Sequence, residues 1–122
     1  MDDVRVERIL RAVECVPEGR AATYGLIGRV VGEVPRVVGY TMSRWGGNVP
    51  WWRIVNAQGE IPGHGATAVP HWEREGLLNR DGDGPATSTA ASGHRVRLSE
   101  VLADEDMLAR AWAEAVAGLP ET

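Results

Sequence analysis

Apolar and polar positions along the chain recur at helical spacing more often than at strand spacing. Val6, Ile9, Leu10 and Val13 fall at i, i+3, i+4 and i+7, one apolar stripe on a helix predicted from about Asp3 to Val16. Asp2 and Asp3 supply its cap and suit the positive end of its dipole. Pro17 stops it, and Pro17-Glu18-Gly19 reads as a turn. Thr23 looks like the cap of a short helix over about Tyr24 to Val31, with Leu26, Ile27, Val30 and Val31 as its buried side and Gly32 as its end. A third helix is predicted from Pro35, a residue suited to a first turn, to about Trp45, with Val34, Val38 and Met42 on one face. Two short helices across a three-residue turn containing Gly have helix-turn-helix spacing. Arg36 then sits at the N-terminal end of the second, where a recognition helix meets DNA.

The second half is patterned more weakly. Gly46-Gly47-Asn48 reads as a loop, and Ile54-Val55 as a short strand with Glu60-Ile61 as its hairpin partner. Residues 62–67 form a Gly-rich loop, and a fourth helix is predicted over Val69 to Leu78, with Pro70 near its start. Residues 79–93 are rich in Gly, Ser, Thr, Ala and Asp and read as a mobile loop. Val96 and Leu98 alternate with Arg95 and Arg97, which suggests a strand. Glu100 to Leu119 reads as a helix with Leu102, Met107, Leu108, Trp112 and Val116 as its apolar set. The expected fold is mainly α with a small β-hairpin. A winged-helix-like helix-turn-helix domain covers 1–78, and a C-terminal strand and helix over 94–122 are packed on it or appended to it.

Composition narrows the function classes. At 122 residues the chain fits one domain. No apolar run approaches the ~18 residues of a membrane span, and the acidic start does not resemble a secretory signal. The expectation is a soluble, cytoplasmic monomer with no membrane partner. One cysteine, Cys15, rules out an internal disulfide and a cysteine-based zinc site. His64, His71 and His94 lack metal-ligand spacing, so neither metal nor cofactor is expected. The net charge of −4 argues against nucleic-acid binding until its distribution is read. Residues 19–59 carry Arg20, Arg29, Arg36, Arg44 and Arg53 against Glu33 alone, between two acidic ends. Every basic residue is Arg, a planar fork suited to phosphates and base edges. One cationic face with modest, salt-sensitive affinity for undamaged DNA follows.

The stretch from Pro17-Glu18-Gly19-Arg20 through Thr23-Tyr24-Gly25 to Pro35-Arg36-Val37-Val38-Gly39, followed by Pro50-Trp51-Trp52-Arg53-Ile54-Val55-Asn56, resembles the DNA-binding domain of O6-alkylguanine-DNA alkyltransferases. It looks closest to the alkyltransferase-like proteins, which lack the acceptor cysteine. The resemblance covers roughly residues 4–78, with a weaker echo near Arg95 to Leu98. The repair enzymes carry Pro-Cys-His-Arg at the corresponding segment. Here Trp51 stands at the cysteine position and Trp52 at the histidine position. Alkyl transfer by the family route needs a thiolate, and an indole nitrogen is a donor only. The chain is therefore expected not to be an enzyme.

Further roles are implied by the resemblance. Arg36 matches an arginine finger that fills the gap left by an extruded base, since O6 cannot be read inside a stacked duplex. Tyr24 matches the tyrosine that crowds the phosphate of the flipped nucleotide. Thr23 and Arg53 join Arg36 and Tyr24 in the expected DNA-contacting set. Trp51, Tyr24, Asn56 and His64 form the expected lesion pocket, with Asn56 and Gly59 in the segment shaping its floor. His64 falls where some alkyltransferase-like proteins place an arginine, and Trp52 departs from both patterns. The implied partners are double-stranded DNA containing O6-alkylguanine and nucleotide excision repair proteins, with nucleoid association in the bound state. Two rivals stand beside this reading: a helix-turn-helix regulator without lesion specificity, and an enzyme using Cys15 as an unconventional acceptor. As bland alternatives, Trp52 and the Trp112 stripe read as packing, and Cys15 as a structural helix residue.

Overall fold

A computed structural model describes residues 3–78 and 94–119. Among these, the elements run α1 (Asp3–Glu14), β1 (Ala22–Thr23), α2 (Tyr24–Val31), α3 (Pro35–Trp45), β2 (Ile54–Val55), α4 (Gly65–Glu75), α5 (Leu98–Val101) and α6 (Glu105–Ala115), with 3₁₀ turns at Gly46–Asn48 and Trp51–Arg53. The residues expected to form a mobile loop, 79–93, lie outside the described residues. Among the described residues, no helix is long and apolar enough to cross a membrane.

The first three helices follow the sequence pattern closely. Helix α1 buries Val6, Ile9, Ala12 and Val13. It ends two residues early because the chain tightens, with Val16 N bonding Val13 O at 3.1 Å on the way into Pro17. Thr23 caps α2 as expected, its Oγ1 accepting from Leu26 N at 3.0 Å. After α2 the chain turns hard: Gly32 N and Glu33 N both donate to Gly28 O, at 2.8 and 2.9 Å. A Cβ on Gly28 would stand 2.4 Å from Glu33 O, so the turn closes only over a bare backbone. This close approach sets α3 against α2.

The mainly α architecture carries its sheet differently from the expected hairpin. Strands β1 and β2 pair in parallel, Ala22 opposite Ile54 and Thr23 opposite Val55. Glu60-Ile61 does not return as a strand. Asn56 Oδ1 accepts from Gln58 N and Glu60 N at 3.0 and 2.9 Å, closing a tight loop. Gly59, at φ +82°, lies against Val96, and Val96 N donates to Gly59 O at 2.9 Å. The loop is therefore tied to residue 96 instead of extending along β2.

Strand β2 also divides the core, because successive side chains face opposite ways. Ile54 joins Ile9, Val13, Val16, Ile27 and Val38, with Leu108 of α6. Val55 joins Ala21, Ala68, Trp72, Leu77, Val96 and Val101. Trp72 is wholly buried and donates its indole N–H to Trp52 O at 2.7 Å. Truncating such a residue to Ala costs about 3–5 kcal/mol.

Three expectations in the second half are corrected. Helix α4 starts at Gly65, four residues before the expected Val69, and Pro70 lies inside it. Burial of Ala68 and Trp72 outweighs the weak helix propensity of Gly65 and Thr67. The strand expected at 96–98 is a single antiparallel bridge between Leu78 and Val96, and Leu98 already begins α5. The long helix from 100 to 119 is broken in two. Ala21 N donates to Val101 O at 2.9 Å, and Ala103 N donates to Ala21 O at 2.8 Å. Pinning to the backbone beside β1 interrupts the helix, and Asp104 caps its resumption. Leu102, expected in the apolar set, is left half exposed by this pin, whereas Leu108 is buried and Met107 and Trp112 pack against the core.

Candidate nucleic-acid interface

Helix α3 presents two useful faces. Arg36, Tyr40 and Arg44 lie at i, i+4 and i+8, one exposed stripe. Arg36 makes no hydrogen bond or ion pair among the described residues, so its guanidinium is available to an outside partner. Gly39, Met42 and Ser43 occupy the adjoining face and line a cavity of about 520 Å³. Tyr24 at the start of α2 joins them, together with Gly46 and Gly47 after α3, Ile54 of β2, and Trp51, Ile61, Pro62 and His64. The lining is mostly apolar with a few polar groups, the usual character of a small-molecule or base pocket.

Three of the four expected pocket residues, Tyr24, Trp51 and His64, therefore meet at one cavity. The Trp51 ring lies edge-on to His64, with centroids 6.2 Å apart. Burial pushes the Tyr24 phenol up, so it stays protonated at neutral pH, and its hydroxyl has no hydrogen-bond partner among the described residues. Asn56 does not line the cavity. It shapes the loop leading to Ile61 and Pro62, which do.

A model of the DNA-binding domain of 6-O-methylguanine DNA methyltransferase matches residues 5–83, more than half of the chain. The chain belongs to this methyltransferase DNA-binding family. A solved structure, S. pombe Atl1 in complex with damaged DNA containing O6-carboxymethylguanine, is similar at 25% identity and a TM-score of 0.65. The match covers 85% of this chain and 98% of that one. No curated protein matches.

In this family member, the two remaining expected contacts each have a partner within the fold. Thr23 Oγ1 accepts from Leu26 N at the α2 cap. Arg53 was expected at the DNA, but its guanidinium grips Glu75 at 2.9 and 2.8 Å and donates to Val16 O at 3.0 Å. Trp52 Nε1 donates to the same carboxylate at 2.8 Å, and Gly19 N at 3.2 Å. Burial alone would raise the Glu75 carboxyl. The bonds from Arg53, Trp52 and Gly19 outweigh it and hold the group below the usual carboxylate range. The Trp52 ring stacks on His71 with centroids 3.9 Å apart and planes 9° apart. The structure thus gives Arg53 and Trp52 to bracing, not to the open face.

Sequence reasoning missed Glu75 as the anchor of this brace, and Gly39, Met42 and Ser43 as pocket residues. Their spacing of three and four along α3 was the available signal. Cys15 packs at the end of α1 and does not line the cavity. Burial, then the neighbouring Glu14 charge, pushes its thiol up.

Proposed function

We propose that this chain binds double-stranded DNA carrying O6-alkylguanine, turns the damaged nucleotide into the cavity beside Trp51, and holds it there without removing the alkyl group. The observation that carries this reading is the position of the cavity. It is lined by the same helix that exposes Arg36, and Tyr24 and Trp51 both face it. The similarity to Atl1 in complex with damaged DNA supports the same partner.

In this mechanism α3 docks on DNA and Arg36 enters the stack, its flat guanidinium donating to the orphaned pairing partner. Tyr24, a neutral phenol with an unused hydroxyl, donates to the phosphate of the rotated nucleotide. The alkyl group rests against the Trp51 indole, with His64 near the mouth. Sulfur attack on the alkyl carbon needs a thiolate. The chain's one cysteine is outside the cavity with its thiol pushed up, which supports binding without transfer. By family resemblance the bound complex marks the site for nucleotide excision repair proteins, and the acidic C-terminal region is a candidate surface for them.

The test is a fluorescence titration at fixed salt with matched duplexes, one carrying a single O6-methylguanine and one plain guanine, with Arg36→Ala in parallel. Selective binding to the damaged duplex, lost in Arg36→Ala and without methyl transfer, is the expected result. Equal binding to both duplexes would overturn lesion sensing and leave a lesion-indifferent helix-turn-helix module. Label transferred to Cys15 would establish an enzyme.

A further inference from the structure

Four large apolar side chains are notably exposed among the described residues, and three of them, Val34 (60%), Tyr40 (48%) and Trp45 (38%), lie on α3 or its cap. Tyr40 and Trp45 meet edge to face, with ring centroids 6.1 Å apart. The Arg44 guanidinium stands over both, 5.8 Å from the Tyr40 ring and 5.5 Å from the Trp45 ring. None of the three lines the cavity. Leaving two aromatic rings in water on one helix is unfavourable for a surface with no partner, and patches of this kind mark binding sites.

We propose that Tyr40, Arg44 and Trp45 form a stacking platform for an unpaired DNA base, separate from the lesion cavity. Charge selects the partner class: α3 carries Arg36 and Arg44 and no acidic residue, so it faces a polyanion. Chemistry selects the base: Arg44 lies over both rings. Aromatic rings paired with an arginine hold single-stranded nucleic acid by stacking a base on an open ring face or on the guanidinium plane, since every base has a flat face to offer. Geometry makes the platform continuous with the rest of the interface. Tyr40 is one helical turn beyond Arg36 on the same stripe, about 6 Å along the axis. A strand meeting Arg36 therefore reaches the platform within about two base steps. The chain would prefer DNA with unpaired bases whether or not it is alkylated. This inference rests on α3 facing DNA and not on lesion recognition.

The test is fluorescence anisotropy with three alkyl-free probes at fixed low salt: an intact duplex, the same duplex with a short single-stranded gap, and an oligothymidine strand. Wild-type protein is expected to bind the gapped duplex and the single strand more tightly than the intact duplex. Tyr40→Ala and Trp45→Ala should each weaken binding to those two probes at least about fivefold, and the double variant should erase the gap preference. Tyr40→Phe and Trp45→Phe should retain most of it, with circular dichroism confirming the fold of every variant. A wild-type protein indifferent to the gap would overturn the platform. So would alanine variants that keep the gap preference, or that lose affinity equally on all three probes. The wild-type protein separates the two readings: a gap preference without discrimination for O6-methylguanine upholds the platform alone, and discrimination without a gap preference upholds lesion sensing alone.

Discussion

Arg53 and Glu75 face each other through two hydrogen bonds, of 2.9 and 2.8 Å, at a site where their side chains are only 14% and 4% exposed. The pair ties the turn that carries Trp51 to α4, and through Val16 O to the end of α1. A buried pair of this kind adds little beyond well-packed apolar residues, but breaking it strands a charge. Glu75→Ala should therefore lower stability by about 3–5 kcal/mol, measured by urea denaturation at neutral pH.

The same carboxylate makes stability fall in acid. Its folded pKa is depressed, so its contribution is present above the ordinary glutamate range, near about 4.3, and is lost as pH falls through the lowered folded value. Glu33, lowered by its hydrogen bonds from Arg5, acts in the same direction. Denaturation curves collected from pH 7 down to pH 3 should show this decline. Glu75→Gln should flatten it while remaining folded at neutral pH. An unchanged acid limb in Glu75→Gln would show that the brace is not its source.

If the alkyl group rests on Trp51, affinity should climb with its length. Each added CH₂ contributes roughly 0.8 kcal/mol, about fourfold in Kd. A series of duplexes from O6-methyl- to O6-propylguanine should show that ladder in the wild type. Trp51→Ala should flatten it without a large loss of stability, because Trp51 is not among the fully buried side chains.

Tyr24→Phe isolates one hydroxyl. The fold does not use that oxygen among the described residues, so Tm should not move. A hydrogen bond to a charged phosphate is worth about 1.5–3 kcal/mol, so affinity for damaged DNA should fall at least about tenfold. Arg36→Ala should instead remove the preference for the damaged duplex while leaving the slope of log affinity against log salt nearly unchanged, because a guanidinium in the stack contacts a base and not a phosphate. A slope reduced by about 0.9 with lesion preference intact would place Arg36 on a phosphate instead.

Gly28→Ala sets two effects against each other. Alanine is favoured over glycine in a helix by about 1 kcal/mol. Its Cβ, however, would meet the Glu33 carbonyl at 2.4 Å, and overpacking costs about 1–3 kcal/mol. The obstructing atom is backbone and cannot swing aside, so the clash prevails. Thermal denaturation should show a lower Tm and should reveal whether the α2–α3 angle tolerates any Cβ.

The sequence was legible where each local signal agreed with the tertiary contacts. Thr23, Gly32 and Pro35 bound α2 and α3 through their own side chains and dihedral preferences, so the helix-turn-helix was readable directly. The parallel pairing of β1 with β2 was not, because it joins residues about thirty apart through two residues on each side. The break between α5 and α6 was hidden for the same reason: bonds from Ala21 cause it, and nothing within residues 98–105 encodes them. At the site, Tyr24, Trp51 and His64 were reachable through the family motif. For Arg53 the motif records which residue recurs and not what its guanidinium holds. Its partner, Glu75, lies twenty-two residues on, with no pattern linking the two.

The 3₁₀ turn at Trp51–Arg53 has one more consequence. The hydrogen bonds that fix it come from main chain and neighbours: Trp51 N to Val49 O, Arg53 N to Pro50 O, Trp72 to the Trp52 carbonyl, and Arg53 to Glu75. None uses the Trp51 indole. The hydrogen bonds thus display residue 51 independently of its side chain, like a tool in a fixed holder, although the indole also packs against the core and the Trp52 and His71 rings. If the cavity takes up a base as proposed, exchanging residue 51 alters what happens to that base while the hydrogen bonds of the turn stay in place, so reactivity and recognition can diverge within one scaffold by replacing a single side chain.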